Sequence, residues 1–262
     1  MDSLAVIESD PTTFAEQITT AALHDGIDDA NQEMFVRIDE DCIETPASDA
    51  GARRASYCTI RADSFDALSV PTGESVDAMF HIDTVLGWLE WVDGDRLRAT
   101  FEGQAGIAAR LVLESGDDRV TISCVDDLTV LNSIETVLPT RFDGTVFLDG
   151  DGSPMPTTIE TTADELTRLV RAVELADTPA EYPLVVRDGR LVVDIDGDSA
   201  SASAPLSAST EGPAVTNHYG EEFAEVVRGI EGDVTLQTGP GEAVAFVQDD
   251  PAYTLRFVVT HG

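Results

Sequence analysis

The sequence predicts an α+β chain of two similar domains, in which antiparallel strands outnumber helices and four helices gather on one side of the sheets. Three observations predict it. Apolar residues recur at the i, i+3, i+4 and i+7 spacing of a helix face in four separate places. Around them, runs of alternating polarity broken by acidic turns read as strand pairs. The second and fourth helical segments also match each other at a constant offset: Val85, Leu89, Val92, Gly94 and Asp95 fall on Phe223, Val227, Ile230, Gly232 and Asp233. One unit is therefore repeated, at a period much longer than the roughly 20 to 50 residues of a solenoid.

The elements follow in order. Phe14, Ile18 and Ala21 mark a first helix, and "MFVRIDEDCIET" reads as strand, acidic turn, strand. Ile82, Val85, Leu89 and Val92 mark a second helix, and the first copy closes near "RVTISCV". Residues 126–156, rich in turn formers and poorly periodic at their end, read as a connector between a domain at 1–125 and another at 157–262. In the second copy, Leu166, Leu169, Val170 and Val173 mark the third helix. "YPLVVRDGRLVVDIDGD" is the matching strand pair; Tyr219, Phe223, Val226, Val227 and Ile230 mark the fourth helix, and "YTLRFVV" closes the copy. Each unit thus reads as helix, strands, helix, strands. Each helix has one apolar face, which is satisfied by lying on a sheet.

Composition bounds the setting. The chain of 262 residues is 42% hydrophobic, so its formal charge of −35 belongs to a folded, very acidic protein rather than a disordered one. All 15 basic residues are arginine, against 50 Asp and Glu. Such like charge repels itself unless salt screens it, and at 1 M the Debye length is about 3 Å; a salt-rich cytoplasm is expected. Cys42, Cys58 and Cys124 are odd in number and show no CxxC spacing, which argues against a disulfide framework and a zinc site and predicts buried thiols. The opening "MDSLAVIESDP" lacks a basic region followed by an apolar run, and no stretch approaches the roughly 18 apolar residues of a membrane span. A soluble, cytoplasmic protein is expected.

Catalytic chemistry finds little to build on. His24, His81, His218 and His261 share no metal-binding spacing, and no G-x-S-x-G elbow or phosphate-binding loop occurs. "DGDGS" at 149–153 resembles the start of a calcium loop and has Glu160 at the twelfth position, but Pro154 stands where the sixth-position glycine would make the turn. An acidic turn is the expectation, with no enzyme activity, metal or cofactor.

Many weak features in a particular order carry a family likeness. They are "LAVIESDPTTFAEQI", "MFVRIDEDCIET", "ASDAGARRASYCTIRADSFDAL", the "DGDRL" turn after the second helix, "TADELTRLVRAV" and "HYGEEFAEVVRGIEGDVTLQTGPGEAVAF", with Ala47 and Asp49 matching an Ala-x-Asp after the first hairpin. In these the chain resembles the DNA polymerase sliding clamps of the proliferating-cell nuclear antigen (PCNA) type, those of haloarchaea especially, over nearly its whole length. The resemblance implies sheets as an outer shell and four helices on one inner face. It implies three subunits closed into a ring around duplex DNA, which tethers DNA polymerase and other clamp-binding proteins and so raises their effective concentration on the template.

Carried over residue by residue, the likeness is uneven. Helical angles place Arg168, Arg171 and Arg228 opposite the apolar stripes, on the exposed face, which the resemblance implies is turned toward DNA, with Asp164 and Glu225 spaced to pair with Arg168 and Arg228. Glu16, Glu221 and Glu225 share that face, and the first two helices hold no arginine, so phosphate attraction is expected to be weak. Subunit contacts are implied along "RVTISCV", with Val120 and Ile122, and "SASAPLSA", where Pro205 removes a backbone donor from an edge. A homotrimer is the first reading; a monomer and a mixed ring stay open. A partner pocket is implied at Ala47, Val258 and Val259, but Arg53 and Arg54 stand where apolar residues belong, and "FVVTHG" replaces the family's usual ending. Trp91 falls toward the polar side of the second helix and Trp88 on the border of its stripe, positions from which a ring covers the edge of a core or stacks on a base or a partner. The alternative function is a clamp-fold interaction module that does not encircle DNA.

Overall fold

A computed structural model describes residues 1–22, 33–48, 53–125, 139–176, 181–197 and 200–261. The chain divides into two compact units, one of Met1–Ser48, Ser56–Val137 and Asp250–Thr254, the other of Asp49–Ala55, Leu138–Asp249 and Leu255–Gly262. In chain order, the first part runs β1 (Asp2–Ser9), α1 (Pro11–Ala22), β2 (Glu33–Ile38), β3 (Cys42–Ser48), β4 (Arg54–Arg61), β5 (Ala67–Ser69), β6 (Val76–His81), α2 (Ile82–Trp91), β7 (Leu97–Gln104), β8 (Ile107–Ser115) and β9 (Asp118–Ser123). A small hairpin, β10 (Phe142–Asp143) and β11 (Val146–Phe147), precedes the rest. Then come β12 (Thr157–Thr162), α3 (Ala163–Ala176), β13 (Tyr182–Arg187), β14 (Arg190–Asp196), β15 (Ser201–Pro205), β16 (Ser209–Glu211), β17 (Val215–Tyr219), α4 (Glu221–Gly229), β18 (Asp233–Thr238), β19 (Val244–Asp249) and β20 (Tyr253–Val259).

The strand orders repeat. Strands β4-β3-β2-β6 and β9-β8-β7-β1-β5 of the first half correspond one for one to β15-β14-β13-β17 and β20-β19-β18-β12-β16 of the second. The two sets in the first half meet at one parallel pairing, Asp77 with Ile107, between β6 and β8. The duplication read from two helices therefore extends to every element from β1 to β9 and from β12 to β20. The sequence reading began each copy with a helix; the structure places a strand ahead of it, β1 and β12. Each of these pairs along most of its length with the strand that follows the second helix of its half, β7 and β18.

Local chemistry accounts for the helices. The Asp10 carboxylate accepts the Thr13 N–H at 2.8 Å, and Pro11 takes the first helical position of α1, where no amide donor is needed. Hydrogen bonds from the Thr13 side chain and backbone hold the Asp10 carboxyl below its ordinary value. Helix α3 opens on Asp164 and Glu165, which suit the positive end of its dipole, and buries Leu166, Leu169, Val170 and Val173 as one stripe. Helix α4 buries Phe223, Ala224, Val226 and Val227, and the Phe223 ring lies 5.5 Å from Tyr219 and 5.3 Å from Phe246. In the first unit Phe14 and Ile18 of α1 join Ile7, Met34, Val36 and Phe80 in one apolar lining.

Residues 139–156 are built into the second unit. Phe147 is buried, its N–H donates to Gln237 Oε1 at 2.6 Å, Gln237 Nε2 donates to the Thr145 carbonyl at 2.7 Å, and Arg256 Nε donates to the Gly144 carbonyl at 3.0 Å. The expected connector residues 126–138 lie outside the described residues. All three cysteines are free, and Cys58 and Cys124 are buried. Cys42 is only half-buried; burial together with the carboxylates of Asp39 and its neighbours pushes its thiol up to about 12, so it stays protonated.

A buried polar knot fixes the turn between β18 and β19. Asn217 Nδ2 donates to Tyr219 Oη, Thr238 Oγ1 and the Gly239 carbonyl at 2.9, 3.1 and 2.8 Å, while Asn217 Oδ1 accepts the Gly241 N–H at 2.8 Å. Asn217 is fully buried, so its removal strands several polar groups away from water. The variant Asn217→Ala is expected to lose about 2 kcal/mol of unfolding free energy, read as a shift in the urea midpoint at unchanged slope.

Candidate functional site

The helices come in pairs, α1 with α2 in the first unit and α3 with α4 in the second, and only the second pair carries arginine. Arg168, Arg171 and Arg228 are all exposed, as the helical angles predict. Their partners differ from the prediction. Arg168 pairs with Glu165 at 2.8 Å rather than with Asp164. Glu165 also accepts the Ser207 N–H at 3.1 Å; that bond first, and Arg168 with it, holds the Glu165 carboxyl below its ordinary value. A carboxylate fixed by a backbone donor is better placed to receive the guanidinium than one that points into solvent.

Arg228 links the two helices. It reaches Glu174 of α3 at 2.6 Å and Glu221 of its own helix at 2.9 Å, not Glu225. These two carboxylates, Glu174 foremost, hold its guanidinium charged above the usual range. Glu221 in turn accepts the Tyr182 hydroxyl at 2.9 Å. Glu225 is taken instead by Arg54 at 2.9 Å, and Arg53 lies 3.5 Å from Glu222. The two arginines that stand where an apolar lining was expected therefore neutralise part of the acidic face of α4. Arg171 has no ion-pair partner among the described residues, so it is the cation of this face with its charge left over.

The strands expected to meet other subunits are sheet edges. Among the described residues β9 has a hydrogen-bonded neighbour only in β8, and β15 only in β14, where Pro205 is opposite Val192. Val120 and Ile122 point into their own core, and Arg119, Thr121 and Ser123 alternate with them outward or at the rim. What β9 offers a neighbour is thus its backbone edge and that outer row. The residues of β15 bury little: Ser201, Ser203 and Pro205 are exposed and Ala202 and Ala204 half-buried.

The implied pocket residues are less available. Ala47 is 8% exposed in the first unit, and Val258 and Val259 are 9% and 1% exposed in the second. Asp49 lies outside the described residues. Trp91 is 57% exposed and Trp88 39%, so both rings are partly open on the surface of α2. Sequence reasoning placed Trp91 on the polar side; the exposure of Trp88 has no signal in the apolar stripe.

The acidic turn is as expected: Asp149 Oδ1 accepts the N–H groups of Asp151 and Ser153, both at 2.9 Å, so this carboxylate closes its own turn. Glu160 lines a polar groove in the second unit with Asp233 and Asp249. Among the described residues, no group of three or more His, Cys, Asp and Glu side chains is placed to hold a metal ion, and no helix is long and apolar enough to cross a membrane.

Two units of identical strand order, each with a helix pair, can be compared with known folds. No family model and no curated protein sequence matches the chain. Solved structures do. The proliferating cell nuclear antigen of Entamoeba histolytica superposes with a TM-score of 0.70 at 11% identity, covering 100% of both chains. The PCNA of A. fulgidus, solved with the C-terminal region of FEN-1 bound, gives 0.70 at 12% identity over 99% of this chain and 98% of that one. The PCNA of Thermococcus kodakaraensis gives 0.70 at 14% identity over 98% and 100%. The chain has the sliding-clamp fold.

The ion pairs make a graded expectation. Arg228→Ala removes two half-exposed contacts, one of which, to Glu174, ties α3 to α4, and should cost no more than about 1 kcal/mol. Arg171→Ala, with no partner to lose, should leave the urea midpoint unchanged. Equal losses in the two variants would contradict these assignments.

Proposed function

We propose that the protein is a sliding-clamp-like accessory factor of DNA replication or repair, acting without catalysis, as a homotrimeric ring that holds duplex DNA and tethers DNA polymerase and other clamp-binding proteins. The carrying observation is that one strand order occurs twice, in a fold that superposes on PCNA structures over the full chain. The free edges of β9 and β15 supply what ring closure needs, a backbone row on each side of a subunit contact, with Val120 and Ile122 backing one and Pro205 ending the other. Pairing between them would satisfy amide and carbonyl groups that otherwise face water.

In this reading the domains are 1–125 and 157–262, joined through 126–156. Arg168, Arg171 and Arg228 face DNA, with Arg171 the principal phosphate contact because the other two are already paired. Contact with DNA is weak, independent of sequence and reduced by salt in proportion to the few phosphates neutralised. A ring tolerates that weakness, since topology rather than affinity keeps it on the duplex. Partners dock near Ala47, Val258 and Val259 with a specificity altered by Arg53 and Arg54. The surplus of acid suits a salt-rich cytoplasm, where screening makes the compact state affordable.

The other reading, an interaction module with the same fold that does not encircle DNA, is favoured by the small count of arginines on the helices and by Pro205 on the edge. Size-exclusion chromatography with light scattering in molar salt separates the two. A trimer is the expected result; a monomer whose mass does not change with concentration would overturn the ring.

A further inference from the structure

The phase of each ladder tells which residues turn their backbone to a free edge. In β9 the Cys124 N–H donates to the Ala109 carbonyl, so Ile122 and Val120 spend their amides and carbonyls on β8, and those of Arg119, Thr121 and Ser123 point to the open side. In β15 the Leu206 N–H donates to the Leu191 carbonyl, so Ala204 and Ala202 face β14, and Ser201, Ser203 and Pro205 face the open side. The donor that Pro205 lacks is therefore missing from the free edge itself. Three residues of β9 stand ready to match three of β15.

The two ends of β15 differ in charge. The strand stops at Pro205, opposite Val192, so Arg190, one alternation away on β14, stands beyond that end on the same face. Arg190 also lies directly opposite Arg187 across the β13–β14 hairpin, and like charges so placed destabilise a strand pair. Arg187 is answered by Asp194 at 3.0 Å. Arg190 is exposed and has no ion-pair partner among the described residues, and Asp188, at the turn, pairs with neither arginine. An open groove of about 400 Å³, lined by Arg187, Asp188, Arg190, Val192, Ser203 and Pro205, joins this cation to the edge. In a chain with 50 acidic residues and 15 arginines, two arginines face to face, one of them unanswered, point to an anion supplied from outside. The other end of β15 is acidic: the exposed Asp196 is opposite Ser201, whose hydroxyl donates to it at 2.8 Å.

The edge of β9 carries its unspent charge at one end only. Asp117, in the turn before the strand, is exposed and has no ion-pair partner among the described residues. Arg119 is taken by Glu114, and Arg110, opposite Ser123 at the far end, by Glu102. Laid antiparallel on β15 of a second copy, β9 puts Arg119 opposite Pro205 and brings Asp117 to the Arg190 end. Laid parallel, it brings Asp117 to Asp196. Only the antiparallel arrangement joins opposite charges while using all three backbone residues of each edge.

We propose that Arg190 of one copy receives Asp117 of a second copy, a charge pair that fixes the direction and register in which β9 meets β15. The inference rests on the ring reading and adds to it the side chains that select the partner edge.

The full chain is followed by light scattering across a range of concentrations, in the lowest salt at which it is folded by circular dichroism and assembles, because molar salt screens a surface pair. Asp117→Arg and Arg190→Asp should each raise the concentration at half assembly by about fivefold or more, and the double variant should return it to within about twofold of the original. Asp117→Arg discriminates by its sign. It makes each copy less negative, so general repulsion alone would tighten assembly, whereas loss of the pair loosens it. Should a reversal fail to fold, Asp117→Asn and Arg190→Gln carry the same direction at smaller size. Unchanged or tighter assembly of the single variants, or no recovery in the double variant, would overturn the pairing and leave the ring standing. An original chain that stays monomeric at every concentration and salt would overturn the ring and the pairing with it.

Discussion

Apolar burial between helices and antiparallel sheets, made twice by the same strand order, is the constraint on which the rest of this structure depends. The net charge of the chain works against compactness. A formal charge of −35 spread over 262 residues repels itself, and only the buried stripes of α1 to α4 and the sheet faces beneath them oppose that repulsion without regard to pH or salt. In α3 the stripe is complete, with Leu166, Leu169, Val170 and Val173 all buried. A fold can be kept at 11% identity when its identity lies in periodicity.

The few arginines are used as local fasteners. Arg228 joins α4 to α3 through Glu174 and also binds Glu221 of its own helix, Arg54 and Arg53 take Glu225 and Glu222, and Arg168 closes on Glu165 beside the Ser207 amide. Each exposed pair is worth little alone. Together they spend most of the positive charge of that face on the protein itself. The two helix pairs thereby differ in character: one has arginine with a single unspent cation, Arg171, and the other has acid and tryptophan.

The periodic features were legible in the sequence and the tertiary ones were not. All four helices, the hairpins around "RIDEDC" and "VRDGRL", and the exposed placing of Arg168, Arg171 and Arg228 follow from spacing alone, except that Tyr219 lies in β17, Val92 and Ile230 stand just past their helix ends, and the Ala21 side chain lies outside the described residues. The partners of those arginines do not. Arg228 finds Glu174, which is 54 residues away in sequence, and Gln237 anchors Phe147 from 90 residues away; helix spacing rules see only neighbours on one helix. A single short alternation ahead of a helix is a weak signal, which is why spacing alone does not find β1 and β12, although each pairs on both sides within its sheet, β1 with β5 and β7 and β12 with β16 and β18. Trp88 looked like part of the stripe's border because no spacing rule says how far a neighbouring element extends to cover it.

In the proposed function a closed ring, and not affinity, would hold this protein on DNA. The most direct measurement lets the protein thread onto linear duplex DNA, blocks both ends with bulky caps, and follows retention after a salt challenge beside DNA whose ends stay open. The account predicts that the protein stays on capped DNA and runs off open DNA. Equal loss from both, or equal retention on both, would contradict it.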